Sequence, residues 1–395
     1  MVSNSGKAGG DQIEFLTTLE GNDKIGEFWA ACHPSRDADP DFFHFLVNSR
    51  PEMARQQILV VRVGDEPKAL LVGRVERMRT PIKVGYFRLP TPELRTLIIS
   101  YGGWLGEIDE PRAILIVDAL RRLLAKGEAD AVMFHFPEFA SPLTQQALKR
   151  PAYVCRDYLP VLETHRIIDL PSDGTGFIAS LSSNSRYQQR KRSRKLSDDF
   201  GAVRIDALHS LEDVGTLVRA CEAVALKSYQ HGIGVGFSAN DDVLSRLEFQ
   251  ARAGWLRGFV LFLDNKPCAF WIGALRHGVF SSDYLAFDPA FEQYAPGMYL
   301  IVEVIEILAK DGADPARQID FGLGDSIYKQ RLSNRAIEEA MVFIFAPNFR
   351  ALSVNLLRSS VGRINLILKS QLNSNAWLAG AKRTLRSCFS SAGRA

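Results

Sequence analysis

The sequence lacks a hydrophobic run long enough to cross a membrane. No stretch approaches the roughly 20 uninterrupted apolar residues that a bilayer-spanning helix needs, and the opening residues, MVSNSGKAGGDQ, contain no apolar signal core. Apolar residues make up 46% and charged residues 24% of the 395-residue chain, which is typical of a globular protein and not of a disordered one. We therefore expect a cytoplasmic protein, and its length favours two or three domains.

Paired cysteines and clustered metal ligands are also missing. The five cysteines are widely scattered, with no Cys-x-x-Cys pair and no histidine at zinc-ligand spacing. They are Cys32, Cys155, Cys221, Cys268 and Cys388. We therefore expect reduced, mostly buried thiols and no bound metal.

Acidic residues are absent after Glu339, although basic residues continue. The basic residues there are Arg350, Arg358, Arg363, Lys369, Lys382, Arg383, Arg386 and Arg394. Without these eight, 40 basic residues face 45 acidic ones, so a mildly acidic body carries a basic tail. This distribution of charge bears on which partners the protein binds more than on how it folds.

The chain contains an internal repeat. ILVVRVGDEPKALLVGRVE (58–76) resembles GFVLFLDNKPCAFWIGALR (258–276), and each reads as a β-hairpin with a polar turn. ILIVDALRRLLAKGEADAVMF (114–134) resembles YLIVEVIEILAKDGADPARQIDF (299–321), and each reads as a helix, a glycine stop and a strand. Such units also recur by chance in α/β proteins, but two matched pairs in the same order favour duplication.

Four segments together carry a family resemblance. They are SNSRYQQRKRSRKLSDDFG, KPCAFWIGAL, YAPGMYLIVEVIEILAKDGA and DFGLGDSIYK, in that order. The chain resembles the GNAT acyltransferases, in particular the FemAB-like double GNAT proteins and the BioF2-like or CelD-like acetyltransferase domain of bacterial polysaccharide gene clusters. The resemblance covers about residues 166–347, and the first half is similar only as a degenerate copy.

The resemblance implies an α/β (α+β) fold of two tandem GNAT-like mixed-sheet domains with flanking helices and a basic helical C-terminal tail. The domains are then a degenerate GNAT-like domain at 1–165, a BioF2-like acetyltransferase domain at 166–347 and the tail at 348–395. It also implies direct acyl transfer to an N or O acceptor, with acetyl-CoA or another acyl-CoA as co-substrate and no permanently bound cofactor. The acceptor would be a polysaccharide or cell-envelope precursor.

GNAT proteins usually bind the CoA pyrophosphate on a loop of the type Arg/Gln-x-x-Gly-x-Gly/Ala, at the N-terminus of a helix. The matching segment here, EQYAPGMYL, has a single glycine. The candidate cofactor-binding residues are Pro296, Gly297, Met298 and Tyr299, at the start of a helix expected from about Met298 to Lys310; an ordinary Pro-Gly turn remains the alternative. In the first half the same place reads SYGGWLGEIDEP, where acids would repel a phosphate, so that domain looks structural or substrate-facing.

The segment IDFGLGDSIYKQRL (319–332) ends a predicted strand in a glycine loop, where α/β sheets place ligands. By the resemblance, Tyr328 is the general acid that protonates the departing CoA thiolate, since a phenol with a pKa near ~10 stays protonated at neutral pH. Lys329 would hold a phosphate or a developing oxyanion. The substrate-binding candidates here are Asp320, Gly322, Gly324 and Asp325, and we expect Asp320 to cap the loop through the N–H of Gly322 or Gly324.

An amine acceptor needs a base, and His231 and Asp283 are the candidates. The basic run SRYQQRKRSRK adds Arg186 and Arg190 as candidate ligands of phosphate, from CoA or from a nucleotide-sugar or lipid-linked acceptor. The same basic run is also compatible with a solvated helix face or with a contact to nucleic acid. Nucleic acid is disfavoured because few aromatics are interleaved and the body is acidic.

The tail has an apolar stripe at Leu357, Val361, Ile364 and Leu368 among basic residues. It would lie on the acidic inner membrane face, with Trp377 at head-group depth, or pack on the catalytic domain. Two further hypotheses stay open for the whole chain. One is a FemAB-like peptidyltransferase that uses aminoacyl-tRNA, although no heptads indicate the coiled-coil arm of that class, and the other is a non-catalytic GNAT-fold partner of a polysaccharide synthesis complex.

Overall fold

The computed structural model describes residues 11–18, 22–49, 54–80, 82–84, 87–171, 176–228, 236–312 and 314–374. By internal packing the chain divides into a first unit, Met1–Leu162 with Glu339–Ala395, and a second unit, Glu163–Glu338. The division into domains at 1–165, 166–347 and 348–395 stays a prediction. The two descriptions differ most at residues 339–347, which pack with the first unit.

The described strands are β1 (Asp11–Leu16), β2 (Ala54–Val63), β3 (Glu66–Arg79), β4 (Ile82–Val84), β5 (Phe87–Leu89), β6 (Glu93–Gly106), β7 (Ala131–Phe134), β8 (Val161–Asp169), β9 (Val203–Leu208), β10 (Leu256–Leu263), β11 (Lys266–Arg276), β12 (Val279–Phe287), β13 (Gln318–Leu323) and β14 (Arg335–Phe345). The described helices are α1 (Asp23–Ala31), α2 (Pro40–Asn48), α3 (Glu110–Ala125), α4 (Pro142–Lys149), α5 (Phe177–Ser180), α6 (Ser183–Asp199), α7 (Val214–Ala225), α8 (Asp241–Arg252), α9 (Pro296–Ala309), α10 (Ile327–Leu332) and α11 (Phe349–Ser374). Short 3₁₀ turns occur at Arg36–Ala38, Tyr153–Cys155 and Pro289–Tyr294.

The two units repeat one topology. The first unit has the strand order β1-β2-β3-β6-β7-β14, and the second has the order β9-β10-β11-β12-β13-β8. In each, an antiparallel hairpin (β2/β3 or β10/β11) is followed by a strand, a helix and a parallel strand. The parallel pairs are β6 with β7 across α3, and β12 with β13 across α9. The predicted repeat of hairpin, strand, helix and strand is therefore confirmed, as is the mixed α/β fold of two tandem units.

Local turn chemistry explains the second hairpin. Asp264 and Asn265 connect β10 to β11, and both adopt positive φ, at 48° and 65°. A two-residue turn with positive φ at both positions matches the right-handed twist of the flanking strands, and Asp and Asn tolerate that conformation.

Helix α9 is held to its sheet by an apolar face. Its buried residues include Leu300, Ile301, Val304, Ile305 and Leu308, and they share one core cluster with residues of β10, β11, β12 and β13. Each fully buried side chain of this size contributes about 1.5–3 kcal/mol. The helix expected from about Met298 to Lys310 is thus confirmed within two residues at its start and one at its end.

Helix α11 packs on the first unit, whose core cluster includes Ala351 and Val354. The buried Asn355 donates hydrogen bonds to the carbonyl oxygens of Val154 and Arg156 at 3.0 and 2.9 Å. The described part of this helix therefore packs with the first unit, whereas the alternative from the sequence had the tail packed on the catalytic domain. Trp377 and the side chain of Leu368 lie outside the described residues, and in the described part no helix is long and apolar enough to span a bilayer.

Candidate functional site

The parallel strands β12 and β13 separate at their carboxyl ends. Their pairing runs from Val279 with Gln318 to Ser281 with Asp320, whereas β12 continues to Phe287 and β13 to Leu323. Two parallel strands that stop pairing leave a wedge between them at the edge where α/β sheets bind ligands. Four of the predicted site residues lie on these strands or directly after them, namely Asp283, Asp320, Gly322 and Gly324.

Asp283 lies in a β-bulge just beyond the last paired residues. Ile272 of β11 faces Tyr284 and Gly273 faces Ser282, so Asp283 is the extra residue of β12. Its Oδ2 accepts a hydrogen bond from the Nε2 of the buried Gln250 at 3.3 Å. Bulges re-aim a side chain, and in this one the carboxylate of the predicted base is turned toward Gln250 of α8.

The glycine loop at the carboxyl end of β13 contains Gly322, within the strand, and Gly324, just after it, with φ of 66° and 96°. Only glycine adopts such values without strain, and a Cβ at either position would meet no atom within 4 Å. Asp320 Oδ1 accepts a hydrogen bond from the Gly322 N–H at 2.6 Å. The expected loop cap is thus observed, and the backbone of the loop is open on the side where a Cβ would point.

Sequence reasoning missed the partner of Asp320. His165 Nε2 lies 2.5 Å from Asp320 Oδ1, and the imidazole is only 4% exposed. The antiparallel pairing of β8 with β13 brings the two residues together although 155 positions separate them. A single histidine on a strand carries no local signal of such a contact, so only the strand order could have revealed it.

Lys329 has a different task from the predicted one. Its Nζ donates to the carbonyl oxygens of Phe321, Gly322 and Leu323 at 2.7, 3.3 and 2.7 Å. An ammonium group has three donors, so in this structure none remains for a phosphate or an oxyanion. Burial lowers the pKa of Lys329, while the nearby carboxylates, Asp320 first among them, oppose that shift. Lys329 therefore fixes the shape of the glycine loop.

Asp325 is engaged by an ion pair. Arg166 of β8 donates through Nε at 2.8 Å and approaches through Nη2 at 2.7 Å to the same oxygen, Asp325 Oδ1. The hydrogen bond from Arg166 lowers the pKa of the Asp325 carboxyl. The expected contact of this carboxylate with an amine or sugar hydroxyl thus competes with a guanidinium from β8, whose position no local sequence pattern predicts.

The Tyr328 side chain is half-buried and packs against other aromatic rings. Its ring meets Phe321 edge-on with centroids 5.8 Å apart, and Phe321 stacks on Trp271 at 5.9 Å. Burial raises the pKa of the Tyr328 hydroxyl, and a hydrogen bond with the Ser326 side chain partly opposes the shift. The hydroxyl therefore stays protonated at neutral pH, as the role of a general acid requires.

The N-terminus of α9 has no side-chain cap. Ala295 precedes Pro296 with φ of 50° and ψ of 53°, a conformation that favours glycine. In the first unit the corresponding helix α3 is capped by Asp109, whose carboxylate accepts from the Arg112 N–H at 3.0 Å. The repeated units therefore differ at the helix end that the resemblance assigns to a phosphate.

Around this helix end, Pro296 and Gly297 are buried and Met298 and Tyr299 are half-buried. A Cβ on Gly297 would lie 3.3 Å from the ring of Phe287, the last residue of β12. The Tyr299 carbonyl oxygen accepts a hydrogen bond from Gln189 of α6 at 3.3 Å. Phe287 itself is 37% exposed.

Three further candidates stand elsewhere. Arg186 donates through Nη1 to the Ala179 carbonyl oxygen at 2.8 Å and to that of Leu181 at 2.5 Å, so its guanidinium holds the end of α5. Arg190 is exposed on α6. His231 lies outside the described residues.

Lys195 is the basic residue of α6 that approaches the start of α9. Its Nζ donates to the Gln293 carbonyl oxygen at 3.2 Å and lies 4.6 Å from the centre of the Tyr294 ring. These two residues immediately precede Ala295 and Pro296. The sequence showed a basic helix but not which of its residues would reach this loop.

Residues 183–330 match the family model described as acetyltransferase (GNAT) domain. A comparison with curated protein sequences gave no match. Among solved structures, the chain is similar to FemX, with 11% identity and a TM-score of 0.51, over 83% of this chain and 97% of that one. It is also similar to a tandem GNAT protein from the clavulanic acid biosynthesis pathway, with 14% identity, a TM-score of 0.46 and coverage of 85% and 99%. A GCN5-related N-acetyltransferase from Sphaerobacter thermophilus shares 13% identity, with a TM-score of 0.44 and coverage of 85% and 96%.

At such identities a structural likeness speaks for fold alone, and of these three only FemX reaches a TM-score of 0.5. The family match covers α6 to the middle of α10, which includes the wedge, the uncapped helix and the glycine loop. Residues 183–330 are therefore similar to a GNAT acetyltransferase domain, and the likeness of the whole chain to FemX concerns the fold.

Proposed function

We propose that the chain transfers an acyl group from acyl-CoA directly to an N or O acceptor, with CoA held by the second unit. The uncapped N-terminus of α9 is the observation that carries this proposal. A helix N-terminus presents unpaired N–H groups and a positive dipole end. In α3 a carboxylate occupies that position, whereas in α9 it is left to a ligand.

The CoA diphosphate lies on the first-turn amides of α9, at Gly297 and Met298, and Lys195 supplies the adjacent positive charge. The pantetheine arm follows the wedge between β12 and β13 toward the glycine loop. Phe287 turns aside as the diphosphate enters, since its ring lies against Gly297. This path brings the thioester beside Asp283 and Tyr328.

The acceptor attacks the thioester carbonyl carbon while Asp283 removes its proton, and the carbonyl oxygen becomes an oxyanion. When that intermediate collapses, the C–S bond breaks, and the hydroxyl of Tyr328 donates its proton to the CoA thiolate. The acyl group thus passes from sulfur to nitrogen or oxygen without an enzyme-bound acyl intermediate. Orientation of the two substrates supplies much of the acceleration, and proton transfer typically adds 10²–10⁴-fold.

The acceptor class follows from the BioF2-like resemblance, which points to a precursor of a polysaccharide or of the cell envelope. The exposed face of α11 supports a peripheral membrane contact for such work. Phe349, Leu356 and Ile364 are 90%, 70% and 49% exposed, and the segment after Glu339 carries no acid. An apolar and basic helix face of this kind binds anionic lipid surfaces.

Release of free CoA from acetyl-CoA tests the proposal when it is followed with a thiol reagent across a panel of amino sugars, sugar alcohols and lipid-linked sugars. Acceptor-dependent release of thiol together with an acylated product is the expected result. A transfer reaction that requires charged tRNA and ignores acetyl-CoA would instead identify a peptidyltransferase. Absence of both CoA binding and tRNA binding would indicate a non-catalytic partner.

A further inference from the structure

Strand β8 shapes the start of the glycine loop. It pairs antiparallel with β13, and the register shifts near the end of that pairing. Asp320 faces Ile167, and the next pair joins Leu323 to His165, so β13 has one residue more than β8 between the two pairs. An extra residue of this kind is a β-bulge, which bends its strand and changes where the neighbouring side chains point.

This bulge contains the residue on which Tyr328 packs. Phe321 and Gly322 lie between the two pairs, and Gly322 adopts a φ of 66°. The Tyr328 ring meets the Phe321 ring edge-on, with centroids 5.8 Å apart. The adjacent Lys329 donates from Nζ to the Phe321 carbonyl oxygen at 2.7 Å. Two consecutive residues of α10 are therefore placed by their contacts with the bulge.

His165 holds the bulge from the side of β8. Its Nε2 lies 2.5 Å from Asp320 Oδ1, which also accepts a hydrogen bond from the Gly322 N–H at 2.6 Å. A carboxylate oxygen is only an acceptor, so the imidazole carries a proton on Nε2. One oxygen atom thus connects β8 to the residues on both sides of Phe321.

Burial makes this connection rigid. His165 is buried and Asp320 is half-buried, and away from water a donor that loses its acceptor has little to replace it. Farther along the loop, the Gly324 N–H donates to the Thr164 carbonyl oxygen at 3.0 Å. Consecutive residues of β8 therefore hold the glycine loop at two points.

We propose that His165 is a positioning residue for acyl transfer. It acts through Asp320 and the bulge at Phe321, and it holds the Tyr328 hydroxyl in line to donate its proton to the departing CoA thiolate. The inference rests on the proposed function, and it gives β8 a part in the reaction.

A double-mutant cycle on the full chain tests this role. His165→Leu keeps an apolar side chain at the buried position and removes the donor to Asp320. We expect kcat to fall about tenfold or more while KM for acetyl-CoA changes less than about twofold, since a displaced acid acts only in the transition state. In the Tyr328→Phe background the same substitution should lower kcat less than about twofold, because the acid is already absent.

Two further variants separate positioning from support of the fold. His165→Gln offers an amide N–H to Asp320 and should restore kcat to within about threefold of the wild type. Ile168→Val removes a methyl group from a buried neighbour on β8 and lowers the melting temperature, but it should leave kcat unchanged. If His165→Leu does not fold, Asp320→Asn, which keeps the size of the side chain and weakens both hydrogen bonds, replaces it in the cycle with the same expected result.

Three results would each overturn the proposal. They are an unchanged kcat in His165→Leu, an equal fold-loss of kcat in the wild-type and Tyr328→Phe backgrounds, and a loss in His165→Gln as large as that in His165→Leu. Failure of the proposed function itself is recognised separately, because the wild type would then transfer nothing from acetyl-CoA, and both proposals would be overturned.

Discussion

At the scale of single residues, the proposed role of Tyr328 as the general acid can be tested directly by substitution. Replacing it by Phe removes the proposed acid but keeps the ring that packs on Phe321. We expect kcat to fall by about 10²-fold with KM for acetyl-CoA nearly unchanged, because proton donation acts only in the transition state. Steady-state kinetics of thiol release would measure both constants, and an unaltered kcat would remove Tyr328 from the mechanism.

The pH dependence of the reaction rate tests the same role of Tyr328. Burial raises the pKa of Tyr328 above its usual value near 10, and an acid must be protonated to donate. The rate should therefore show no loss from this group between neutral pH and about pH 10, and it should fall above that. A basic limb that begins well below pH 9 in the wild type and persists in Tyr328→Phe would assign it to another group.

We expect the replacement of Lys329 to lower the stability of the protein, because its contacts are with the backbone of the glycine loop. Lys329→Met removes the donor from three carbonyl groups that surround its Nζ, and buried unsatisfied acceptors are costly. We expect the free energy of unfolding to fall by roughly 3 kcal/mol, measured by urea denaturation. Lys191→Met, at an exposed position of α6, is the matched control and should change it by less than about 0.5 kcal/mol.

Residue-scale contacts were predictable only where the partners are close in sequence. The bond from the Gly322 N–H to Asp320 spans two residues and follows from ordinary loop chemistry. The partners His165 of Asp320 and Arg166 of Asp325 lie on β8, and nothing in the local sequence specifies that β8 will pair with β13. The expected phosphate contact of Lys329 failed for a related reason, since the loop turns its carbonyls inward.

At the scale of elements, the ends of α3 and α9 offer an exchange experiment. Ala295→Asp places a carboxylate beside the first turn of α9, where α3 has Asp109. We expect the melting temperature to stay equal or rise, since Asp tolerates the left-handed conformation of residue 295, while the Kd for CoA rises at least about tenfold through repulsion of phosphate.

Ala295→Asn is the neutral control for this exchange. Asn has nearly the size of Asp without its charge and also tolerates the left-handed conformation, so this variant should retain most of the affinity for CoA. Both Kd values come from calorimetric titration. Equal affinity in Ala295→Asp and Ala295→Asn would mean that no phosphate lies near this helix end.

The elements themselves were largely readable from the sequence. Apolar periodicity and glycine stops located the hairpins and the helix α9, because short-range patterns decide them. The bulge at Asp283 was not predicted, since an extra residue in one strand shows only in its pairing with the neighbouring strand. The sequence also did not predict that α3 has a side-chain cap and α9 has none. In the sequence, the acids around Asp109 indicate only repulsion of a phosphate.

At the scale of the whole molecule, the exposed face of α11 allows the proposed membrane contact to be tested. The double variant Phe349→Asp, Leu356→Asp replaces two side chains that are 90% and 70% exposed. We expect binding to vesicles of phosphatidylcholine with phosphatidylglycerol to weaken about tenfold or more, measured by co-sedimentation. Leu226→Asp, at a 59% exposed leucine of the second unit, is the control and should bind as the wild type does.

Vesicles without phosphatidylglycerol supply the electrostatic arm of that experiment. Binding should be weaker there and should decline with salt, because the tail contributes through its basic residues. Equal binding by the double variant and the wild type would remove α11 from any membrane contact.

The arrangement of the whole chain was the part least accessible from sequence. The repeat predicted two similar units, but not that β14 follows the second unit in the chain and pairs with β7 of the first. Adjacent strands in a sheet need not be adjacent in sequence, and this choice is made by packing of buried faces. The same packing decides that α11 rests on the first unit.

Calorimetric titration of the full chain with acetyl-CoA tests the central claim most directly. The account predicts binding of one molecule per chain, weakened about tenfold or more in Ala295→Asp. Heat that fails to appear at any attainable concentration, or affinity that is indifferent to the charge at residue 295, would contradict it.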